Sequence, residues 1–378
     1  MIPRFNIYRL LGFVVLLCAL SSCSDDSEQL GDKTTVTLSI STADLTPSNA
    51  GEGSRAAGGG SGTTVTATTK DNNITDLSVY IFDNKGDVIG STYGSYTITN
   101  ASSINVTVQT RKATGCTVYA IANVGTVVSP NEFQGMTKKT EFDAKKHVLA
   151  HAVDLDSQDK VALLMFGQLP NFDTSQTSAT IPMSRLASKF DFVINAGNDV
   201  DSKLPITVDS YQLCNVPKES HYCLPADLST LDKTTMCEDE TAVSLTKGAS
   251  LHFTKYIYDN GVGKQAGVTD WTHRDKKEAP QNATYLKIKA HTDVWNSTYY
   301  VYLGGKALGE TGNNYDYSDF TIYPNYHYTV NITISGSGHA ENGQGLRVEY
   351  QAKPYYGITV TPWSQDKGKN ISNPIDAQ

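Results

Sequence analysis

The sequence predicts an all-β protein built of two tandem β-sandwiches with few short helices. Many short segments alternate or concentrate apolar residues and are separated by turn residues, the pattern of strands in sandwiches. The length of 378 residues suits two domains of ordinary size. Charged residues make up only 19% of the chain, whereas Thr, Ser, Gly, Asn and Tyr are abundant, a composition typical of extracellular β-proteins.

The first predicted strand contains Val36, Leu38 and Ile40, which alternate with threonine and serine. The stretch 49–62 follows it, is rich in glycine, contains the single basic residue Arg55, and has almost nothing to bury. Such a segment is expected to be exposed, which a protease needs at a cleavage site. The strand is therefore a candidate for removal. A flexible linker after an edge strand is the alternative interpretation.

Further strand-like segments follow in both halves of the chain, and the boundary between the two sandwiches is predicted near Ser184. Ser129 and Pro130 predict the start of a short helix, with serine as N-cap and proline at the first helical position. The strand-like segments are 77–82, 104–108, 116–122, 161–166, 190–194, 208–213, 285–289, 299–303 and 326–334.

The N-terminus has the features of an export signal. Arg4 and Arg9 precede an apolar stretch, 10–20, which is too short to span a bilayer. The following Leu20-Ser-Ser-Cys23 resembles a bacterial lipobox, and the acidic stretch 24–28 resembles the signal that sends Bacteroidetes lipoproteins to the outer face. The resemblance implies that Cys23 becomes a lipidated, palmitate-bearing N-terminus. An ordinary secretory signal is the alternative.

Several functions are disfavoured by the sequence. The net charge of -8 and the absence of a basic cluster argue against nucleic acid as a partner. His147 and His151 are four residues apart, but no metalloprotease motif accompanies them, so they are interpreted as part of a helix surface. The sequence shows no nucleophile elbow and no phosphate loop. We therefore expect no catalytic residues, no metal, no cofactor and no enzyme activity.

Four cysteines remain after the signal and the lipidated residue: Cys116, Cys214, Cys223 and Cys237. Export would permit disulfides, and Cys214 and Cys223 are close enough in sequence to close a short hairpin. Buried free thiols are the alternative. The spacing of the cysteines matches no zinc motif.

The end of the chain holds two consecutive strand-like pieces. They could form the last hairpin of the second sandwich, or a segment that is donated to another molecule. The apolar positions of this candidate donor strand are Leu346, Val348 and Tyr350 in the first piece and Ile358, Val360 and Trp363 in the second.

Together these features resemble the Bacteroidales fimbrillins, or type V pilins. The resemblance lies in the order and spacing of several short motifs along most of the chain. These motifs are the lipobox at Cys23, the strand followed by Ser54-Arg55-Ala56-Ala57, and the segments 74–83, 119–125, 183–191 and 357–363.

The resemblance implies two transthyretin-like sandwiches and a lipoprotein precursor on the cell outer membrane. An arginine-specific protease would cut between Arg55 and Ala56 and release the strand of Val36, Leu38 and Ile40. A C-terminal strand of a neighbouring subunit would then fill the vacated groove and build an extracellular fimbrium that acts in adhesion. The implied division is a signal peptide (1–22), a propeptide (23–55), an N-terminal sandwich (56–184) and a C-terminal sandwich (185–378).

The implied partners are other pilin subunits in a homopolymer, with anchor and tip subunits, and ligands on host or bacterial surfaces. Arg55 in its glycine-rich stretch and the two terminal strand pieces favour a stalk subunit. The loop-rich region between Cys214 and Cys237 is the feature that a tip adhesin would elaborate. The alternative function is an uncleaved surface lipoprotein, an anchor or tip adhesin, that binds glycans or host proteins.

Overall fold

The computed structural model describes residues 32–41, 73–98, 103–151, 162–199, 202–223, 228–230, 234–270, 273–305, 307–308, 314–337, 351–352 and 355–362. The described residues from Lys33 onward belong to one compact unit. Strands dominate it, and the helices are short connections between strands. The predicted all-β fold of two tandem sandwiches is confirmed.

In the first half of the chain, alternating apolar residues form strands that are joined by turns and short helices. These elements are β1 (Lys33–Ser41), β2 (Ile74–Phe82), β3 (Val88–Ile98), β4 (Ser103–Arg111), β5 (Cys116–Ala122), α1 (Val124–Val127), α2 (Lys139–Ala144), β6 (Lys146–Val148), β7 (Met165–Phe172), β8 (Ser178–Pro182) and β9 (Ser184–Arg185).

The described part of the second half consists of strands together with a short 3-10 turn, Leu228–Thr230. The strands are β10 (Ala187–Ala196), β11 (Thr207–Cys214), β12 (Val216–Pro217), β13 (Glu219–His221), β14 (Thr235–Met236), β15 (Thr241–Leu245), β16 (Ser250–Tyr258), β17 (Tyr285–His291), β18 (Asn296–Tyr302), β19 (Ala307–Leu308), β20 (Asn314–Tyr315), β21 (Tyr326–Ile334), β22 (Gln351–Ala352) and β23 (Tyr355–Pro362).

Two sheets of the first half face each other and enclose an apolar core. One sheet has the strand order β4-β1-β8, and the other has the order β3-β2-β5-β7-β9. In β4 the side chains of Ile104, Val106 and Val108 are buried while the residues between them are exposed, because successive side chains point to opposite faces of a strand. We call this pair of sheets the N-terminal sandwich.

The C-terminal sandwich is built in the same way from two other sheets, with the orders β16-β10-β21-β23 and β15-β11-β17-β18-β22. Its core includes a parallel pairing of β10 with β21, in which Phe190 lies opposite Tyr328. The two rings stack with their centroids 4.3 Å apart. β21 coincides with the segment 326–334 that has the clearest alternation in the sequence.

An aromatic cluster joins the two sandwiches. Phe133 lies edge-on to Tyr222, with ring centroids 5.1 Å apart. At the same junction, the Arg185 guanidinium donates a hydrogen bond to Asn325 Oδ1 at 3.0 Å. The buried aromatic members of the cluster are Phe82, Tyr119, Phe133, Phe142, Tyr222, Tyr256 and Tyr258. The residue bounds predicted for the signal peptide, the propeptide and the two domains stay predictions.

The helix predicted at Ser129 is wrong. The backbone there makes successive tight turns, with Glu132 N–H donating to Ser129 O at 3.2 Å and Gln134 N–H donating to Asn131 O at 3.0 Å. Gly135 follows with a φ of 82°, which ends any helical run. The Ser129 hydroxyl accepts a hydrogen bond from Asn131 N–H, so serine stabilises a turn here instead of capping a helix.

Candidate functional site

β1 is the middle strand of its sheet. It pairs antiparallel with β4 over its whole length, from Lys33 opposite Arg111 to Ser41 opposite Ser103. On its other side it pairs in parallel with β8, from Thr37 opposite Ser178 onward. The strand is therefore not the edge strand of the linker interpretation. Its removal would leave two facing rows of backbone groups without partners.

The core-facing side of β1 is fully buried. Val36, Leu38 and Ile40 each have 0% of their surface exposed, whereas Thr35 and Thr37 on the other face are exposed. Complete burial of one such apolar side chain stabilises the folded state by about 1.5–3 kcal/mol. β1 thus contributes a substantial share of the apolar core of the N-terminal sandwich.

The strands on either side of β1 are fixed to the opposite sheet independently of β1. Gly90 in β3 lies so close to β4 that an added Cβ would lie 2.7 Å from both Gln109 O and Thr110 Cβ. Gly167 in β7 lies equally close to the end of β8, where an added Cβ would lie 2.6 Å from Pro182 O. We call the space between β4 and β8 the β1 slot. These close approaches fix β4 and β8, the strands on its two sides, against the opposite sheet.

Substitution of Gly90 tests this packing. Gly90→Ala is expected to lower the free energy of unfolding of the uncleaved chain by about 1–3 kcal/mol, because the new methyl group meets backbone that must shift. Gly94→Ala on the same strand is the control, since its Cβ meets only the end of the Tyr96 side chain. We expect its effect to stay within about 0.5 kcal/mol. If urea unfolding shows an equal loss in the free energy of unfolding for the two variants, the close packing of β3 on β4 at Gly90 is contradicted.

The described part of the C-terminal segment occupies one edge of each sheet in the C-terminal sandwich. β22 pairs in parallel with β18 at the end of the five-stranded sheet. β23 pairs antiparallel with β21 at the end of the four-stranded sheet, placing Ile358 opposite Val330 and Val360 opposite Tyr328. Within the described residues, each of these strands has a neighbour on one side only.

The other candidate residues of export and assembly lie outside the described residues. They are Cys23, Arg55, Ala56, Leu346, Val348, Tyr350 and Trp363. Their assignments stay predictions. In the part of the chain that the structure describes, no helix is both long and apolar enough to cross a membrane.

The predicted disulfide between Cys214 and Cys223 is not formed, and both residues are buried free thiols, the alternative interpretation. The chain between them is not a hairpin. β12 pairs with β14, whereas β13 pairs with β6 of the first half. The two cysteines therefore lie in different parts of the fold. Cys214 ends β11 in the C-terminal sandwich, and Cys223 lies in the aromatic cluster.

The helix expected around His147 is also absent. His147 belongs to β6, and its Nδ1 lies 2.5 Å from the hydroxyl of Tyr258, within hydrogen-bond distance. Across the described ranges, no group of three or more His, Cys, Asp or Glu side chains is arranged to hold a metal ion. The histidine therefore serves the packing between the two sandwiches.

The described residues form two β-sandwiches, and in the first of them β1 fills the slot between β4 and β8. Residues 36–209 match the family model described as major fimbrial subunit protein (FimA). A second family model, described as a domain of unknown function (DUF4906), matches residues 255–332. The resemblance to the Bacteroidales fimbrillins is confirmed: the chain is fimbrillin-like. No curated protein matches the chain.

Solved structures share the fold at low sequence identity. A candidate cell adhesion protein from Parabacteroides distasonis aligns with a TM-score of 0.59 and 16% identity, covering 88% of this chain and 98% of that one. The tip fimbrial protein Mfa3 from Porphyromonas gingivalis, with C-terminal truncation, gives 0.51 and 12%, with 86% and 99% covered. A fimbrilin (fimA) from Porphyromonas gingivalis W83 gives 0.50 and 16%, with 87% and 98% covered.

The family match over residues 36–209 supports a role as a fimbrial subunit for the chain. The matching family is one of structural fimbrial subunits, which implies assembly with other fimbrial subunits. The family also indicates a place at the cell surface, in a fimbria.

Proposed function

We propose that the chain is a structural pilin subunit, exported as a lipoprotein precursor and polymerised by donor-strand exchange after cleavage. Cys23 would carry the lipid that anchors the precursor in the outer membrane. An arginine-specific protease would cut between Arg55 and Ala56. The product would join an extracellular fimbrium that acts in adhesion.

The position of β1 is the observation that carries this proposal. The strand lies between the lipidation residue and the cleavage residue in sequence, with Cys23 before Lys33 and Arg55 after Ser41. A cut after Arg55 therefore separates both β1 and the lipid from the rest of the chain. From then on, only non-covalent contacts hold β1 in the slot, and its departure exposes a buried apolar surface.

The pairing pattern favours the transfer of β23 from its own sheet into the β1 slot of a neighbouring subunit. In its own sheet β23 pairs with β21 on one side, so it leaves by breaking one ladder. In the β1 slot of a neighbouring subunit, a strand pairs with β4 on one side and β8 on the other. The transfer thus replaces one row of backbone pairing with two, and it covers an apolar groove.

The β1 slot also sets the direction and spacing of the donor. In the proposed exchange the entering strand takes the direction of β1, antiparallel to β4 and parallel to β8. It must present apolar side chains at alternate positions to replace Val36, Leu38 and Ile40. Both pieces of the C-terminal segment have this alternation, in Leu346-Val348-Tyr350 and around Ile358 and Val360.

The N-terminus of protein harvested from the cell surface tests the proposal. We expect it to be Ala56 in the parent, whereas Arg55→Gln protein should retain an acylated Cys23. Lys70→Gln is the matched control, because Lys70 is the next basic residue along the chain, and its product should resemble the parent. An acylated Cys23 on the parent protein would instead support the alternative, an uncleaved surface lipoprotein that acts as an anchor or tip adhesin.

A further inference from the structure

Two cysteines that are distant in sequence lie on facing backbone segments at the end of β11. β12 and β14 pair antiparallel, with Val216 opposite Met236. The backbone N–H of Glu238 donates to Leu213 O at 2.9 Å. The segment around Cys237 therefore runs alongside the segment around Cys214, at the spacing of neighbouring strands.

The contacts around this pair fix its geometry. Cys214 follows Leu213 and Cys237 precedes Glu238, so each cysteine is next in sequence to one end of the Glu238–Leu213 hydrogen bond. The Gln212 side chain donates to Glu238 O at 2.8 Å and so ties the same two segments together. Cys214 is buried, whereas Cys237 is exposed. One thiol of the pair is thus open to reagents in solution, and the other is shielded from them.

We propose that Cys214 and Cys237 are a redox pair that forms a disulfide when the protein meets an oxidising environment. The bond would link the end of β11 to the 234–240 segment. Its occurrence in the cell rests on the proposed export, because disulfides persist mainly in oxidising compartments. The pairing itself rests only on the contacts of the folded chain.

The oxidant is a disulfide, and bond formation is a two-step exchange. The Cys237 thiolate attacks the oxidant, forms a mixed disulfide and displaces one thiolate. The Cys214 thiolate then attacks Cys237 Sγ and displaces the second thiolate. The two cysteines lose two protons and two electrons in total, and the oxidant's disulfide is reduced to two thiols.

Burial decides the order of these steps. It raises the pKa of the Cys214 thiol to about 12, and the neighbouring Cys237 acts in the same direction. Because the thiolate is the nucleophile, the exposed Cys237 is the residue that meets the oxidant first. Cys214 then reacts within the protein, because backbone and side-chain hydrogen bonds hold its segment beside that of Cys237.

The remaining cysteines provide internal references. Cys116 is buried in the N-terminal sandwich, and burial raises its pKa to about 11. Cys223 is buried in the aromatic cluster, and burial raises its pKa well above the ordinary value. Neither is expected to react with a disulfide oxidant while the protein is folded.

Oxidised glutathione is the probe for this inference. The uncleaved chain is incubated with it, the remaining thiols are alkylated, and peptides are mapped by mass under non-reducing conditions. We expect a Cys214–Cys237 linked peptide, and at least a tenfold fall in Cys237 alkylation that dithiothreitol reverses. Cys214→Ser protein should instead hold glutathione on Cys237, and Cys223→Ala protein should behave like the parent.

Three results would overturn the inference: a glutathione adduct that persists on Cys237 of the parent, a bridge that involves Cys223, or an unchanged Cys237. A rise in the urea midpoint on oxidation, present in the parent and absent in Cys214→Ser, gives a second measurement, because a bridge restricts the unfolded chain. The assay uses uncleaved protein and measures no polymer. Its failure therefore leaves the N-terminal test of the proposed function standing, and the reverse also holds.

Discussion

Leu38→Asp is expected to destabilise the uncleaved chain by at least about 3 kcal/mol. Truncation of a buried leucine alone typically costs 2–5 kcal/mol, and a carboxylate in an apolar core adds the cost of its desolvation. Leu38 is fully buried in the middle strand of its sheet, so the new charge has no path to water without loss of β1. Urea unfolding of the purified precursor measures the effect.

Thr37→Asp is the matched control for this variant. Thr37 is the adjacent residue of the same strand and is exposed on the opposite face, so we expect a change within about 0.5 kcal/mol. The proposed cleavage adds a second comparison. From Ala56 onward, the cleaved Leu38→Asp product and the cleaved parent have the same sequence, so their stabilities should agree once the 23–55 peptide has left. A loss that persists in the cleaved product would mean that β1 is not released.

Val360→Asp is expected to reduce polymer formation by at least about tenfold while the monomer remains soluble and folded. A charge that enters the apolar groove of the β1 slot costs more than 1.4 kcal/mol, which corresponds to a factor of ten in an equilibrium constant. Thr361→Asp is the control, because the next residue of a strand faces the other side. Polymers that resist mild denaturant are quantified after cleavage of each variant.

Truncation before Leu346 extends this prediction. The described core of the C-terminal sandwich is built from residues between Phe190 and Ile334, so the shortened chain should still fold and still be cleaved. It should form no polymers, because the candidate donor is gone. Normal polymers from the truncated chain would exclude donation through this C-terminus. An unfolded product would instead make β22 and β23 essential internal strands, and Val360→Asp would then decide between the two accounts.

Local alternation predicted the strands well. The alternation of Val36, Leu38 and Ile40 predicted β1, and that of residues 326–334 predicted β21. Burial of one face of a strand imposes this period of two on the sequence. The propensity of Ser129-Pro130 gave a wrong helix, since a serine followed by proline also suits a turn.

The partners of the strands could not be predicted in the same way. β1 places Ile40 opposite Ile181 in a parallel pairing, and no local pattern encodes a contact between residues so far apart. The cysteines show the same limit. Cys214 and Cys223 are close in sequence, but the pairing of β12 with β14 brings the segment of Cys237 alongside that of Cys214 instead.

The middle position of β1 also has a consequence for the timing of assembly. While residues 42–73 join β1 to β2, the strand competes for its slot at an effective concentration of roughly millimolar, whatever the number of donors nearby. Cleavage removes this high effective concentration without changing any contact of β1. Once β1 has left the slot, it then diffuses away instead of rebinding. The cut would therefore leave the affinity of the slot for β1 unchanged. By removing the tether, it would allow a donor strand from another subunit to replace β1.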